Sequence, residues 1–86
     1  MRDDVREQAR RCFDIISGAL HELGSSLDQV VRTRMYVTSS AYADAVGEVH
    51  GEAMAKARPV ATMVVVNELI DPRWHVEIEV DALATA

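Results

Sequence analysis

Near the C-terminus His75, Glu77, Glu79 and Asp81 alternate with apolar residues. In an extended strand such alternate residues share one face, about 6.6–6.8 Å apart. Carboxylates lined up this way on a buried face would repel one another, and at least one would hold its proton above the usual range. Glu77 sits nearest the middle of the row and is the candidate for activating water as a general base. On a solvent-facing strand the same row needs no explanation, because Asp and Glu are mostly exposed.

The remaining chemistry-bearing residues are scattered. The histidines are His21, His50 and His75. A metal site needs three or four ligands at coordinating spacing, and His50 and Glu52, two apart on a predicted helix, do not face each other. Neither a metal site nor a cofactor is therefore expected. His50 borders an apolar helical stripe, where it reads first as a packed or half-exposed histidine, and second as a group able to titrate near neutral pH. Cys12 falls on an apolar stripe and reads as core rather than nucleophile. The glycines form no phosphate-binding loop, and Ser25, Ser26, Ser39 and Ser40 sit where helix caps belong. No complete catalytic constellation is present.

The elements that position these residues follow from periodicity. Asp3 or Asp4 can cap a first helix with Glu7 in its first turn. Val5, Ala9, Cys12, Ile16, Ala19 or Leu20, and Leu23 recur at steps of three and four, and Gly24 supplies the stop. Ser26 and Gln29 have the spacing of a capping box and predict one helical turn. Residues 31–37 alternate with a β-branched bias and predict a strand. Ser39 or Ser40 then caps a second helix whose apolar face is Tyr42, Ala45, Val46, Val49, Ala53 and Met54. Gly47 and Gly51 lie on it at a spacing that either admits a close backbone or is merely tolerated. Pro59 ends that helix and opens the apolar run 60–66, which fits a strand covered on both faces. After a connection at 67–73, Trp74, Val76, Ile78, Val80 and Ala82 make the apolar side of a last strand.

The order is α-β-α-β-β: a parallel pair across residues 30–66, antiparallel final strands, and two helices on one face of a small mixed sheet. With 86 residues, the chain is a single domain, 1–86, whose own core is marginal. One cysteine permits no internal disulfide, so self-association is the expected source of stability. A net charge of −5 opposes nucleic-acid binding; the Arg6, Arg10, Arg11 and Arg32, Arg34 groups read as solvated faces. No stretch is long and apolar enough for a membrane span, and the acidic N-terminus lacks a signal-peptide core. A cytoplasmic location is expected.

Several segments, in order, carry a resemblance to a known family. They are Asp4-Val5-Arg6-Glu7-Gln8-Ala9-Arg10, Gly24-Ser25-Ser26-Leu27-Asp28-Gln29-Val30-Val31, Met35-Tyr36-Val37-Thr38, Arg58-Pro59-Val60-Ala61-Thr62-Met63-Val64 and Val76-Glu77-Ile78-Glu79-Val80. Over essentially its whole length the chain resembles the RidA family of reactive-intermediate deaminases, also named YjgF or L-PSP endoribonucleases. The resemblance implies a chorismate-mutase-like α+β subunit, a homotrimer, and small-metabolite clefts between subunits.

This chain departs from the family in three places. Deaminating members carry an arginine two residues after the proline, where it grips the substrate carboxylate; here the residue is Ala61. An asparagine of the second helix corresponds to Gly47. The N-terminal β-hairpin is missing, so the chain reads as truncated or as starting too late. Glu77 matches the family's water-positioning glutamate. The resemblance thus implies an arginine-lacking branch, with Glu77 catalytic and with His50, Glu52, Ala61 and Met63 lining the cleft. The expected function is binding of a small metabolite, with enamine or imine hydrolysis by Glu77 if chemistry is retained. The alternatives are a non-catalytic ligand-binding module and, less well supported, an endoribonuclease.

Overall fold

The computed structural model of the chain describes residues 4–84. Helix α1 spans Val5–Glu22. It starts where Asp4, in extended backbone, accepts the Arg6 amide at 2.9 Å; Asp3 lies outside the described residues. It stops where Gly24 turns to φ 78°. Ser25 N–H then bonds Leu20 C=O and Gly24 N–H bonds His21 C=O, the paired bonds of a Schellman end. The buried face centres on Phe13, with Val5, Gln8, Ala9 and Leu20. Cys12 and Ile16, on the predicted stripe, are half-buried at its margin. Leu23 is 73% exposed, because at the cap the backbone has already left the helix. The stripe is thus rotated from the predicted one. Phe13, one helical step from Cys12, carries more apolar surface and turns the helix toward itself.

A 3₁₀ turn, Leu27–Gln29, leads into strand β1, Val30–Val37. The turn is where the sequence predicts it, but Ser26 makes no side-chain capping bond. After β1, Ser39 Oγ accepts the Ala41 amide at 3.1 Å and caps a second 3₁₀ turn, Ser40–Tyr42. Helix α2, Ala43–Ala53, follows directly. The serine cap therefore acts one turn upstream of α2.

Strand β2 is Val60–Val65 and β3 is Val76–Ala82. The sheet order is β2-β1-β3, with β1 parallel to β2 and antiparallel to β3. The final two strands do run in opposite directions, but they are not neighbours. Residues 66–75 carry the chain past the end of β1, pinned by Val66 N–H to Val37 C=O at 2.8 Å and Thr38 N–H to His75 C=O at 3.1 Å. Both helices lie over one face of this sheet, where Thr33, Met35, Val37, Val46, Val49 and Val76 are buried. This is the α+β architecture read from the sequence.

The apolar run of β2 departs from expectation. Val60 is 67% and Val65 57% exposed, although adjacent residues of a strand point to opposite faces. Only Met63 of the strand packs against the core; the rest is open because β2 forms the edge of the sheet.

Candidate functional site

On the helix-free face β1 presents Arg34 and Tyr36, and β3 presents Glu77, Glu79 and Asp81. Arg34 donates to Glu79 and to Asp81, each at 3.4 Å. The Tyr36 hydroxyl donates to Glu79 Oε1 at 2.8 Å. That bond holds the phenol protonated and pushes its pKa up, with desolvation and the Glu79 charge adding to the effect. One guanidinium thus serves two of the carboxylates. Among the described residues no cation lies within ion-pair distance of the third, Glu77. His75, predicted in the same row, precedes the strand, and its ring packs on Tyr42 with centroids 5.2 Å apart.

Glu77 also borders a groove of about 380 Å³ between α1 and β3, lined by Cys12, Ile16, Trp74 and Ile78 among others. Burial raises the Cys12 thiol pKa, and the nearby Glu77 charge raises it further. The thiolate needed for nucleophilic attack is therefore disfavoured, in line with a core role.

On the helix-covered face His50 is half-buried. Its Nε2 lies 2.8 Å from Thr33 Oγ1, and its ring meets Phe13 edge-on at 6.0 Å. Burial lowers its pKa, which favours the neutral ring beside a hydroxyl. Thr33 is the register partner of Ala61, and Met35 that of Met63. His50, Ala61 and Met63 therefore belong to one side of the sheet, and Met63 packs against the core. A hollow of about 410 Å³ adjoins His50, lined also by Gly51, Met54, Ala55, Arg58 and Pro59. Glu52 is elsewhere: it borders a separate hollow of about 400 Å³ with Arg10, Phe13 and Ser17. Two helical steps from His50 to Glu52 turn the side chain through roughly 200°.

Three residues that border these hollows or support the elements around them escape a reading of the sequence alone. Thr33 looks like an ordinary β-branched strand residue; its signal is a hydroxyl in register with Met35 and Val37. Arg58 reads only as the residue before Pro59. Gln8 reads as the polar side of α1, yet it is 2% exposed. Its Nε2 donates to Arg73 C=O at 3.0 Å, and its Oε1 accepts the His75 amide at 2.7 Å.

Among the described residues no group of three or more His, Cys, Asp or Glu could hold a metal ion. Nor is any helix among them long and apolar enough to cross a membrane.

Comparison with known proteins adds the relationships. Residues 1–84 match the family model described as Endoribonuclease L-PSP. The chain is 39% identical over 79 residues to an uncharacterized protein of Streptomyces coelicolor, covering 92% of this chain and 59% of that one. It is 31% identical over 84 residues to a RutC family protein of Pyrococcus abyssi, covering 98% and 64%. The chain thus spans about three fifths of the length of these relatives. Its fold is similar to the crystal structure of a YjgF/YER057c/UK114 family member from Mycobacterium tuberculosis. There the TM-score is 0.92 and the identity 48%, over 95% of this chain and 70% of that one.

Proposed function

The chain belongs to the RidA/YjgF/L-PSP family, and from that premise we propose that it forms a homotrimer binding a small metabolite between subunits, with Glu77 as the group that activates water. One observation carries the reading. Ala61 and Glu77, at the positions of the family's arginine and glutamate, stand on strands separated by β1 and on opposite sheet faces. A site that uses both must draw them from two copies. Val60, Val64 and Val65 of β2, exposed on its two faces, offer such a contact its surface.

The chemistry is hydrolysis of a C=N bond. The Glu77 carboxylate accepts a proton from water as the water oxygen bonds to the imine carbon. The π pair moves to nitrogen, which takes up the proton from Glu77 or one from solvent water. The carbinolamine then collapses to a carbonyl and releases ammonia. A general base of this kind contributes on the order of 10²–10⁴-fold. Ala61 offers no charged donor to a substrate carboxylate, a loss worth roughly 1.5–3 kcal/mol.

That loss favours a second reading, a ligand-binding module without turnover. Endoribonuclease activity is the weakest reading: the net charge is −5, and the exposed carboxylates of β3 would repel phosphates. A cytoplasmic setting goes with the proposal, since a lone half-buried thiol needs no oxidising compartment.

The test uses an amino-acid oxidase to generate short-lived imines and times keto-acid formation with the natural chain and with Ala61→Arg. Acceleration above buffer by either chain, abolished by Glu77→Gln, supports hydrolysis. Saturable ligand binding with no acceleration by either chain assigns the binding role instead.

A further inference from the structure

The backbone at Arg58 is left-handed, with φ 48°. Its N–H closes the end of the α2 region on Met54 C=O at 2.9 Å. Arg58 lies four residues beyond the Met54 cap of α2, and glycine is the residue that most readily takes such a left-handed backbone, because a Cβ there is strained. A long charged side chain at such a position calls for a role beyond ending a helix.

Arg58 lines the hollow beside His50. Among the described residues no carboxylate lies within ion-pair distance of its guanidinium, whereas Arg10, which borders another hollow, is held by Glu7 at 2.8 Å. The hollow, about 410 Å³, falls in the range of roughly 300–1,000 Å³ typical of small-molecule sites. Gly51 is part of its wall, and a Cβ built there meets nothing within 4 Å, so the space is open.

We infer that Arg58 is the anion anchor of this chain, binding the carboxylate of a small organic acid in the hollow between the end of α2 and the start of β2. The inference rests on the proposed reading of the chain as a metabolite binder. It supplies the cation that Ala61 lacks, from a position three residues earlier. A planar guanidinium meets a carboxylate through two parallel bonds, which fixes orientation as well as affinity. The negative end of the α2 dipole opposes an anion here, but that field is screened and fades within the last turn. A direct, charge-assisted pair outweighs it.

The experiment titrates 2-oxobutyrate into the protein, followed by calorimetry and by the NMR signals of the Arg58 Nε–H and His50 ring. Its methyl ester and inorganic phosphate serve as controls. The expected result is saturable binding of the acid, shifts at both residues, and no binding of the ester. Two variants should move stability and binding in opposite senses. Arg58→Gly relieves the backbone and Gly51→Ala improves the helix, so neither should lower Tm. Yet Arg58→Gly should weaken binding about 10- to 100-fold, and Gly51→Ala should weaken it by crowding the hollow. Arg58→Lys should rescue it only in part.

Unchanged binding in Arg58→Gly, a fall in its Tm without loss of affinity, or phosphate binding as well as the acid would each overturn the inference. If no acid binds anywhere, the metabolite-binding reading fails with it. If the acid binds through the hollow but Glu77→Gln changes neither binding nor product formation, the inference stands and hydrolysis by Glu77 falls.

Discussion

Ala61 shares the helix-side register of Thr33, whereas Glu77 pairs with Tyr36 on the far side of the sheet. Strand β1 stands between them, so no ligand atom touches both within one copy. This separation makes complementation between subunits the sharpest test of the proposed site. The double variant Ala61→Arg/Glu77→Gln should be inactive alone. Co-assembled in equal amounts with the natural chain, it should regain about a quarter of the Ala61→Arg rate, the share of ring interfaces that combine arginine from one copy with glutamate from the next. A mixture with no more activity than its separate components removes the shared site.

Gly47 meets no neighbour within 4 Å of an added Cβ. Of the two roles open to a helical glycine, the isolated chain shows tolerance and no close backbone. Gly47→Ala should therefore stabilise the fold by about 0.8–1 kcal/mol, a rise in Tm of roughly 4–8 °C for a domain this small. Thermal melts monitored by circular dichroism at several protein concentrations give the answer. A lower Tm together with a smaller assembly on a sizing column would instead reveal a partner's backbone against Gly47.

The buried Gln8 carboxamide joins α1 to the segment ahead of β3 through Arg73 C=O and the His75 amide. Replacing it with alanine leaves both backbone groups short of a partner, at a cost of about 1–3 kcal/mol. Urea denaturation should show a lower midpoint with an unchanged slope. An unchanged midpoint would mean that water satisfies both groups equally well.

Acid should weaken the fold through His50. Burial holds its native pKa below the ordinary 6.5, so as pH falls through 6.5 the unfolded chain takes up this proton first. Unfolding is then favoured progressively between 6.5 and the lower native value, whereas above 6.5 the contribution is fully present. Melting curves from pH 7.5 to 5 should show Tm falling, with a shallower slope in His50→Gln. An equal slope in the variant would exclude His50 as the source.

At lower pH the Asp71–Arg73 pair follows the carboxylate sign. Hydrogen bonds from Arg73 hold Asp71 at about 2, against an ordinary 3.8. Its contribution is present above 3.8 and declines as pH falls toward 2. NMR titration of the Asp71 carboxyl should return a depressed midpoint, restored toward the ordinary value in Arg73→Ala. An ordinary midpoint in the natural chain would mean that solvent screens this exposed pair.

The element order, the helix ends at Asp4 and Gly24 and the strand from Val31 to Val37 were legible from local pattern, and the family from its resemblance across several motif segments. Backbone sterics, capping and alternation act over a few residues, and a stretch of sequence displays them directly. The helix face was less legible. Steps of three and four describe a stripe through Cys12, but they do not say which way a bulky neighbour such as Phe13 will turn it.

Partnership across the chain was decided only by the tertiary structure. The apolar run at 60–66 looks like an interior strand, and what leaves it at an edge is the order β2-β1-β3, a property of the assembled sheet. The same assembly sets Thr33 against His50, seventeen residues away. It turns the ordinary-looking Gln8 into a buried clamp. It also divides Ala61 from Glu77 by a strand and a face. Alternation tells which residues of one strand share a side; only pairing between strands tells which sides meet. For that reason the residue types of the candidate site could be read in sequence, while their division between the two faces of the sheet could not.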